Sequence, residues 1–300
     1  MSFVKKAHTV PRTYLTNFSK DGEFLWVYNK QDGKIFKTNI NNISTGNKFY
    51  NLDHLGYNKE SSALEDQLGE IEGRYSQNFN RLNLNDWIID LETKAYFLEF
   101  LTLQLIRTRT MRKGVAHLLA EIKSQLLAKG FKEEHLGQYG IEIETSSEKE
   151  KHLKFLMNPF VLGEINSFLS DGIWVVIDNQ TSYDFITSDH PLTLYVYQDT
   201  GITATEHFIP LTQRKGISIF SRKYFSEIAK LDNKILPLKD SEFTRHYNHR
   251  QIFASHLHVN NSINHFPYVE KAIKLNPDLM KIDKPKFGVV VDGQSAFNNQ

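Results

Sequence analysis

Apolar residues recur three and four positions apart at Leu64, Leu68, Ile71, Tyr75, Phe79 and Leu82, which is the period of one helix face, and Ser61 and Ser62 ahead of them are candidate N-caps. From residue 91 to about 113 the apolar positions lie around most of the circumference, so a central, buried helix is expected there. Residues 115–129 continue as an amphipathic helix that Gly130 should stop, and 153–169 read as helical with a break at Asn158-Pro159. From Ile173 the period changes to that of strands, with short apolar runs at 173–177, 183–187, 192–197, 206–209 and 216–220. Turn residues between these runs predict an antiparallel meander. Nearer the start, 24–29 and 34–39 flank Lys30-Gln31-Asp32-Gly33, a hairpin turn signal. Asp240 should cap a helix running to about Val259, a second helix follows at 267–274, and 287–291 closes with a strand. The fold class is therefore α+β: a helical bundle region packed on an antiparallel β-meander, with an N-terminal β-hairpin.

Composition narrows this picture. The chain has 300 residues, 40% hydrophobic and 24% charged, which are globular values and enough to bury a core without crosslinks. A single domain is expected, with a soft internal boundary at 132–151, where the sequence turns polar between a helical half and a sheet-containing half. The formal net charge of +1 excludes a uniformly basic nucleic-acid coat and leaves room only for a local basic patch. With no cysteine, disulfides, thiolate catalysis and Cys-ligated metals are excluded. No apolar run reaches spanning length and the start lacks a signal-type segment before Pro11, so a cytoplasmic chain with no membrane partner is expected.

The candidate chemistry gathers at the start. His8, Arg12 and Tyr14 stand beside the apolar anchors Leu15 and Phe18, and Pro11 should separate an extended lead-in from a first helical turn. In the central helix Gln104 and Arg107 emerge on one side, three apart. A buried arginine requires a carboxylate or a bound anion, because leaving such a charge unpaired costs on the order of 3 to 5 kcal/mol. Glu65 or Glu72, seven apart on the preceding helix, is the expected partner unless a ligand takes that place. Asp189, in Thr187-Ser188-Asp189-His190-Pro191, ends a strand where proline prevents continuation. It is read either as a group aimed into a site or as a turn residue that binds backbone amides. Glu242, His246, His249 and His256 share a side of the late helix, but no compact metal signature accompanies them and no metal is expected. Arginine-then-histidine spacings of the kind found in helical ribonucleases occur twice, at Arg112 with His117 and at Arg250 with His256, which shows how little the spacing specifies. Phosphate-binding glycine loops and serine-hydrolase elbows are absent, so no cofactor is expected.

Taken in order, His8-x-x-Pro11-Arg12-x-Tyr14-Leu15-x-x-Phe18, Leu25-Trp26-Val27-Tyr28, Phe185 through Pro191, Pro210-Leu211, and Asn248 with Ala254 resemble the domain-of-unknown-function 4238 family of mostly bacterial proteins. The resemblance spans roughly the whole chain. It implies a bacterial setting and, for some relatives, stress or antiviral defence. It supplies no activity, and because the family often has asparagine at the position of His190, it passes no role to that residue.

Two functions follow as expectations. The first is a phosphodiester hydrolase, in particular a ribonuclease, with His8 as general acid or base, Arg12 and Arg107 stabilising developing phosphorane charge, and Asp189 orienting His8. Tyr14, Gln104 and His190 would contact the substrate. The alternative is a non-catalytic sensing module in which the same basic groups hold RNA, another anionic ligand or a protein. A plainer account makes the opening a plug whose apolar residues seal the core.

Overall fold

The computed structural model describes residues 6–47, 49–50, 58–130, 132, 147–199, 202–280 and 289–291. In chain order the strands are β1 (Lys6–His8), β2 (Phe24–Asn29), β3 (Ile35–Asn39), β4 (Thr45–Asn47), β5 (Ile173–Asn179), β6 (Thr187–Ser188), β7 (Thr193–Asp199), β8 (Ile202–Pro210), β9 (Lys215–Phe220), β10 (Lys234–Leu238), β11 (His258–Asn261) and β12 (Val289–Val291). The helices are α1 (Arg12–Leu15), α2 (Asn58–Leu84), α3 (Leu91–Ile106), α4 (Arg109–Ala128), α5 (Glu148–Leu156), α6 (Pro159–Ser170), α7 (Ser241–Ala254) and α8 (Pro267–Leu275). The protein is α+β.

Local signals set many of these boundaries. Gly33 at φ +69° makes the turn between β2 and β3, where a side chain would be strained, and its N–H donates to the Asn29 carbonyl at 2.9 Å. The expected hairpin is therefore present. Asn158 caps α6 by accepting from the Phe160 and Val161 amides, and Pro159 occupies the first turn, so the predicted break separates α5 from α6. Ser147 caps α5 through the Glu150 amide. Gly130 follows α4 at φ +88°. Asp240 caps α7 through the Glu242 amide.

Other boundaries depart from the periodicity. The apolar stretch from residue 91 does not run unbroken to about 113: α3 ends at Ile106, Arg107 is its C-cap, and α4 restarts at Arg109. Thr108 starts the new helix, because its hydroxyl accepts from the Met111 amide at 3.3 Å. α2 begins at Asn58, ahead of the candidate caps Ser61 and Ser62. α7 stops at Ala254, so His256 leaves the helix that was expected to carry it to about Val259. The Lys30 ammonium, wholly buried, donates to the Ile252 and Ser255 carbonyls at 2.7 and 2.9 Å and thereby satisfies orphan carbonyls of that helix end.

The strands form a six-stranded sheet in the order β10-β5-β9-β8-β7-β12 and a four-stranded sheet in the order β3-β2-β11-β6, while β1 pairs with β4. Strands β7, β8 and β9 are consecutive antiparallel neighbours, as a meander requires, whereas β5 joins them antiparallel beside β9, and the flanking β10 and β12 run parallel to β5 and β7. The run at 183–187 is not a strand of that sheet. Its end, Thr187–Ser188, instead pairs antiparallel with β11 in the sheet that begins with the hairpin.

The main apolar cluster takes Val10, Tyr14, Leu15 and Phe18 from the opening, Tyr75, Phe97, Phe100 and Leu101 from α2 and α3, and Trp174, Ile209, Leu211 and Ile217 from the large sheet and the residue after β8. Tyr75 stacks on Phe100 with ring centroids 3.9 Å apart, and Tyr14 lies 6.3 Å from Phe100. The core thus joins residues from both sides of the expected boundary at 132–151, most of which lies outside the described residues. Burying four apolar side chains from the nine residues 10–18 holds that segment in place, at roughly 1.5 to 3 kcal/mol for each side chain removed from water.

Candidate functional site

Thr9 is the hub of the opening. Its amide and hydroxyl both donate to the Ser44 carbonyl, at 2.8 and 3.0 Å, while its own carbonyl accepts from Gln104 Nε2 at 3.2 Å and Arg107 Nε at 3.1 Å. Arg107 Nη2 donates to the His8 carbonyl at 3.0 Å and to Glu72 Oε1 at 2.7 Å. The carboxylate demanded by a buried arginine is therefore Glu72, on α2. The Glu65 side chain lies outside the described residues.

These contacts bring Arg107 and Gln104 to the backbone of His8 and Thr9, and the charge of Arg12 acts on His8 as well. Gln104 is fully buried and Arg107 is 2% exposed, whereas His8 is half-buried and Arg12 is exposed. Burial is the first cause that lowers the His8 pKa; Glu72 and a hydrogen bond to the Ile40 backbone oppose it, and Arg107 and Arg12 reinforce it. His8 Nε2, Gln104 Oε1, Thr13 Oγ1 and Ser44 Oγ are buried and have no partner among the described residues. Four unpaired polar atoms on residues this close in the chain or in hydrogen bonding to Thr9 mark the opening as polar and incompletely satisfied.

A second locus is sealed. Tyr14, fully buried, donates its hydroxyl to the Pro210 carbonyl at 2.6 Å and shares a 2.9 Å hydrogen bond with Thr187 Oγ1. Burial, first of all, raises its pKa well above the ordinary tyrosine value. Asn248 receives the Ile186 amide at 3.0 Å and donates to the Asp184 carbonyl at 2.8 Å. Gln251 accepts from Ser188 Oγ at 2.8 Å and donates to the Pro191 carbonyl at 2.7 Å. Thr110 Oγ1 donates to the Ala254 carbonyl at 3.0 Å. Segments that resemble a family signature in the sequence are thus one another's hydrogen-bond partners in space.

A family model described as a protein of unknown function matches residues 6–263 of the 300-residue chain. The chain belongs to the DUF4238 family. No curated protein and no solved structure matches it.

In this DUF4238 chain Asp189 is 5% exposed and its two carboxylate oxygens are both occupied. Oδ1 accepts from the His256 amide at 2.8 Å, and Oδ2 from the Leu257 and His258 amides at 2.8 and 3.1 Å. This is the amide-binding reading of Asp189, realised with backbone far away in sequence. It also explains why α7 ends where it does, since the chain just past the helix is held by a carboxylate instead of by its own carbonyls. Asp189 acts electrostatically on His190 and His258, whereas the charges acting on His8 are Glu72, Arg107 and Arg12. Both Asp189 oxygens are thus taken by backbone amides, and the carboxylate that acts on the His8 imidazole is that of Glu72.

His190 is 1% exposed, with Nδ1 at 2.6 Å from Thr108 Oγ1. Burial lowers its pKa to about 4 against the opposing charge of Asp189, so the ring is neutral near pH 7. Thr108 follows Arg107 directly, and the junction between α3 and α4 therefore clamps both loci. Arg109 Nη2 adds a bond to the Thr45 carbonyl at 3.0 Å. Thr108 escaped the sequence reading because a lone threonine between two helical stretches carries no distinctive spacing. Its only local signal was the capacity to cap a helix.

The remaining basic candidates are held internally. Arg112 lies over the Phe49 ring, 3.4 Å from its centroid, and donates to the Phe49 carbonyl at 2.9 Å. Arg250 is bound to Glu206 at 2.9 Å. Neither arginine-histidine spacing yields an exposed basic pair. Among the described residues no cluster of three or more His, Asp or Glu side chains is placed to hold a metal, and no helix is long and apolar enough to cross a membrane.

Proposed function

We propose that this chain is a non-catalytic module that binds an anionic ligand, RNA phosphate foremost, at a lip made by His8 and Arg12. The observation that supports this reading is how the charged groups are used. Arg107 and Asp189 are sealed inside and spent on protein partners, whereas Arg12 is exposed and its charge acts on the half-buried His8. An exposed guanidinium offers parallel donors to phosphate oxygens. Groups already saturated by carbonyls, amides and a carboxylate hold the lip rigid and are poorly placed to follow charge developing in a reaction.

A phosphodiester hydrolase, specifically a ribonuclease, is the second reading. What favours it is that burial, against the opposing charge of Glu72, lowers the His8 pKa and so favours the neutral form that a general base requires.

Fluorescence anisotropy with a labelled single-stranded RNA, followed by a denaturing gel of the same samples, separates the two. The binding reading expects intact RNA, affinity that falls as salt rises, and about five- to tenfold weaker binding in Arg12→Ala. Binding that is absent, or that is unchanged in Arg12→Ala, would defeat it. Cleavage that disappears in His8→Ala would replace it with the hydrolase.

A further inference from the structure

The His8 lip continues along the edge of the four-stranded sheet. His8 bonds to the backbone of Ile40, the residue that follows β3, and β3 is the outermost strand of that sheet. Four positions earlier on β3, about 13 Å at the usual rise, stands Phe36. It pairs in register with Val27, which places it on the sheet face that packs against the opening. Its ring is 36% exposed and meets the half-buried His258 ring at 86°, with centroids 6.4 Å apart, so the two rings are not stacked on each other. Arg109 joins the two ends of this edge. Its Nη2 donates to the carbonyl of Thr45, the register partner of His8, and its charge acts on His258. On either side of it Thr108 bonds to His190 and Thr110 to the Ala254 carbonyl, which fixes Arg109 against the chain that leads into β11. Among the described residues the Thr45 carbonyl is the one hydrogen-bond acceptor of Arg109, and no carboxylate pairs with it. The nearby carboxylates are matched elsewhere: Asp189 by three amides, Asp32 by Lys34 at 3.2 Å and Glu72 by Arg107.

We infer that this edge is a track for single-stranded RNA, in which Arg12 and Arg109 each take a phosphate and an unstacked base lies on the Phe36 ring. The inference rests on the reading of the lip as an anion site and adds to it a second phosphate contact and a platform for a base. Exposed aromatic rings set among cations are the usual means of holding single strands, because every base has a face to stack and every nucleotide a charge to neutralise. A duplex keeps its bases stacked inside and offers Phe36 nothing. The arrangement also fits a chain of net charge +1, since a short track needs only a few cations that the protein has left without a carboxylate.

The test uses the whole protein and three probes: a labelled single-stranded RNA of mixed sequence, the same strand in a duplex, and inorganic polyphosphate, which has phosphates but no bases. Fluorescence anisotropy, with polyphosphate as competitor, is expected to show the single strand bound about tenfold more tightly than the duplex. Phe36→Leu keeps an apolar side chain at an exposed edge but removes the ring. It should weaken the single strand about tenfold, a loss that polyphosphate does not share, and Phe36→Tyr should restore it. Arg109→Gln, which keeps a donor for Thr45, should weaken RNA and polyphosphate alike and lower the slope of log affinity against log salt by about 0.7. Should Arg109→Gln not fold, the two Phe36 variants decide. RNA that binds and depends on Arg12, yet is held equally by wild type and Phe36→Leu, overturns the track and leaves the lip standing. Equal affinity for the duplex, or a Phe36→Leu loss shared by Phe36→Tyr or by polyphosphate, overturns the track as well. If neither RNA nor polyphosphate binds, the lip itself fails and the track falls with it.

Discussion

Asp189→Ala is expected to destabilise the protein by roughly 3 to 5 kcal/mol, because three backbone amides lose their acceptor at once. Hydrogen bonds to an ionised group contribute more than neutral ones, and the amides of His256, Leu257 and His258 are only partly open to replacement water. The damage should be local first. The chain after α7 would lose the anchor that turns it into β11, and with it the pairing of β11 with both β2 and β6. Asp189→Asn, which keeps one acceptor oxygen, should fall between the variant and wild type. Urea denaturation followed by circular dichroism measures the difference, and hydrogen exchange at residues 256–261 locates it. A carboxylate kept for chemistry predicts the opposite sign, since removing such a group commonly leaves stability unchanged or raised. Asp189→Ala with wild-type stability would therefore restore Asp189 as a candidate for chemistry.

The second large effect is expected at Arg250. Its guanidinium and the Glu206 carboxylate are 1% and 2% exposed and 2.9 Å apart, and the carboxylate also accepts from the Tyr197 hydroxyl at 2.8 Å, the Tyr247 hydroxyl at 3.0 Å and the Ser218 hydroxyl at 2.5 Å. Arg250 further donates to Thr193 Oγ1 at 3.2 Å and to the Glu206 carbonyl at 3.0 Å. Breaking such a pair from one side leaves a buried charge, so Arg250→Ala should cost about 3 to 5 kcal/mol, and replacing both partners by apolar residues much less. Acid pH provides an independent check. Burial pushes the Glu206 carboxyl up, but Arg250 and the hydroxyl donors outweigh it and hold the group below the usual carboxylate range. A carboxylate with a lowered folded pKa contributes stability that is present above its unfolded value and lost as pH falls through the folded one. In Arg250→Ala the upward push of burial is opposed by the hydroxyl bonds and His246 without the guanidinium, and protonation relieves the unpaired charge. The stability gap between wild type and variant should accordingly narrow as pH drops from neutral toward about 4. A gap that stays constant or widens would mean that the pair is not held as a buried ion pair.

Several features were legible because their causes lie within a few residues of their effects. The hairpin turn at Gly33 needs a backbone that only glycine adopts easily, and Asp32-Gly33 announces it. The break between α5 and α6 follows from an asparagine cap and a proline in the first turn, both visible as Asn158-Pro159. The apolar wrapping of α3 requires burial, burial requires a counter-charge for Arg107, and Glu72 on the neighbouring amphipathic helix was one of two candidates. The burial of Tyr14, Leu15 and Phe18 follows from their apolar spacing after Pro11, and Val10 joins them in the core.

What escaped the sequence was decided by partners far along the chain. The period of residues 91–113 says helix throughout, and a break at Thr108 makes sense only once His190 and the opening segment stand against that point. The local pattern after the Asp240 cap carries α7 on to about Val259, but Asp189 and Lys30, tens to hundreds of residues away, take the hydrogen bonds of the chain at the helix end. Asp189 itself reads equally as a reactive carboxylate or an amide clamp until the amides are seen to be in reach. Periodicity and capping are short-range and survive in the one-dimensional pattern, so the elements of this protein were largely determined by sequence. The assignment of each polar side chain to an internal partner or to solvent depends on which distant segments the core brings together, and only the tertiary structure decided it.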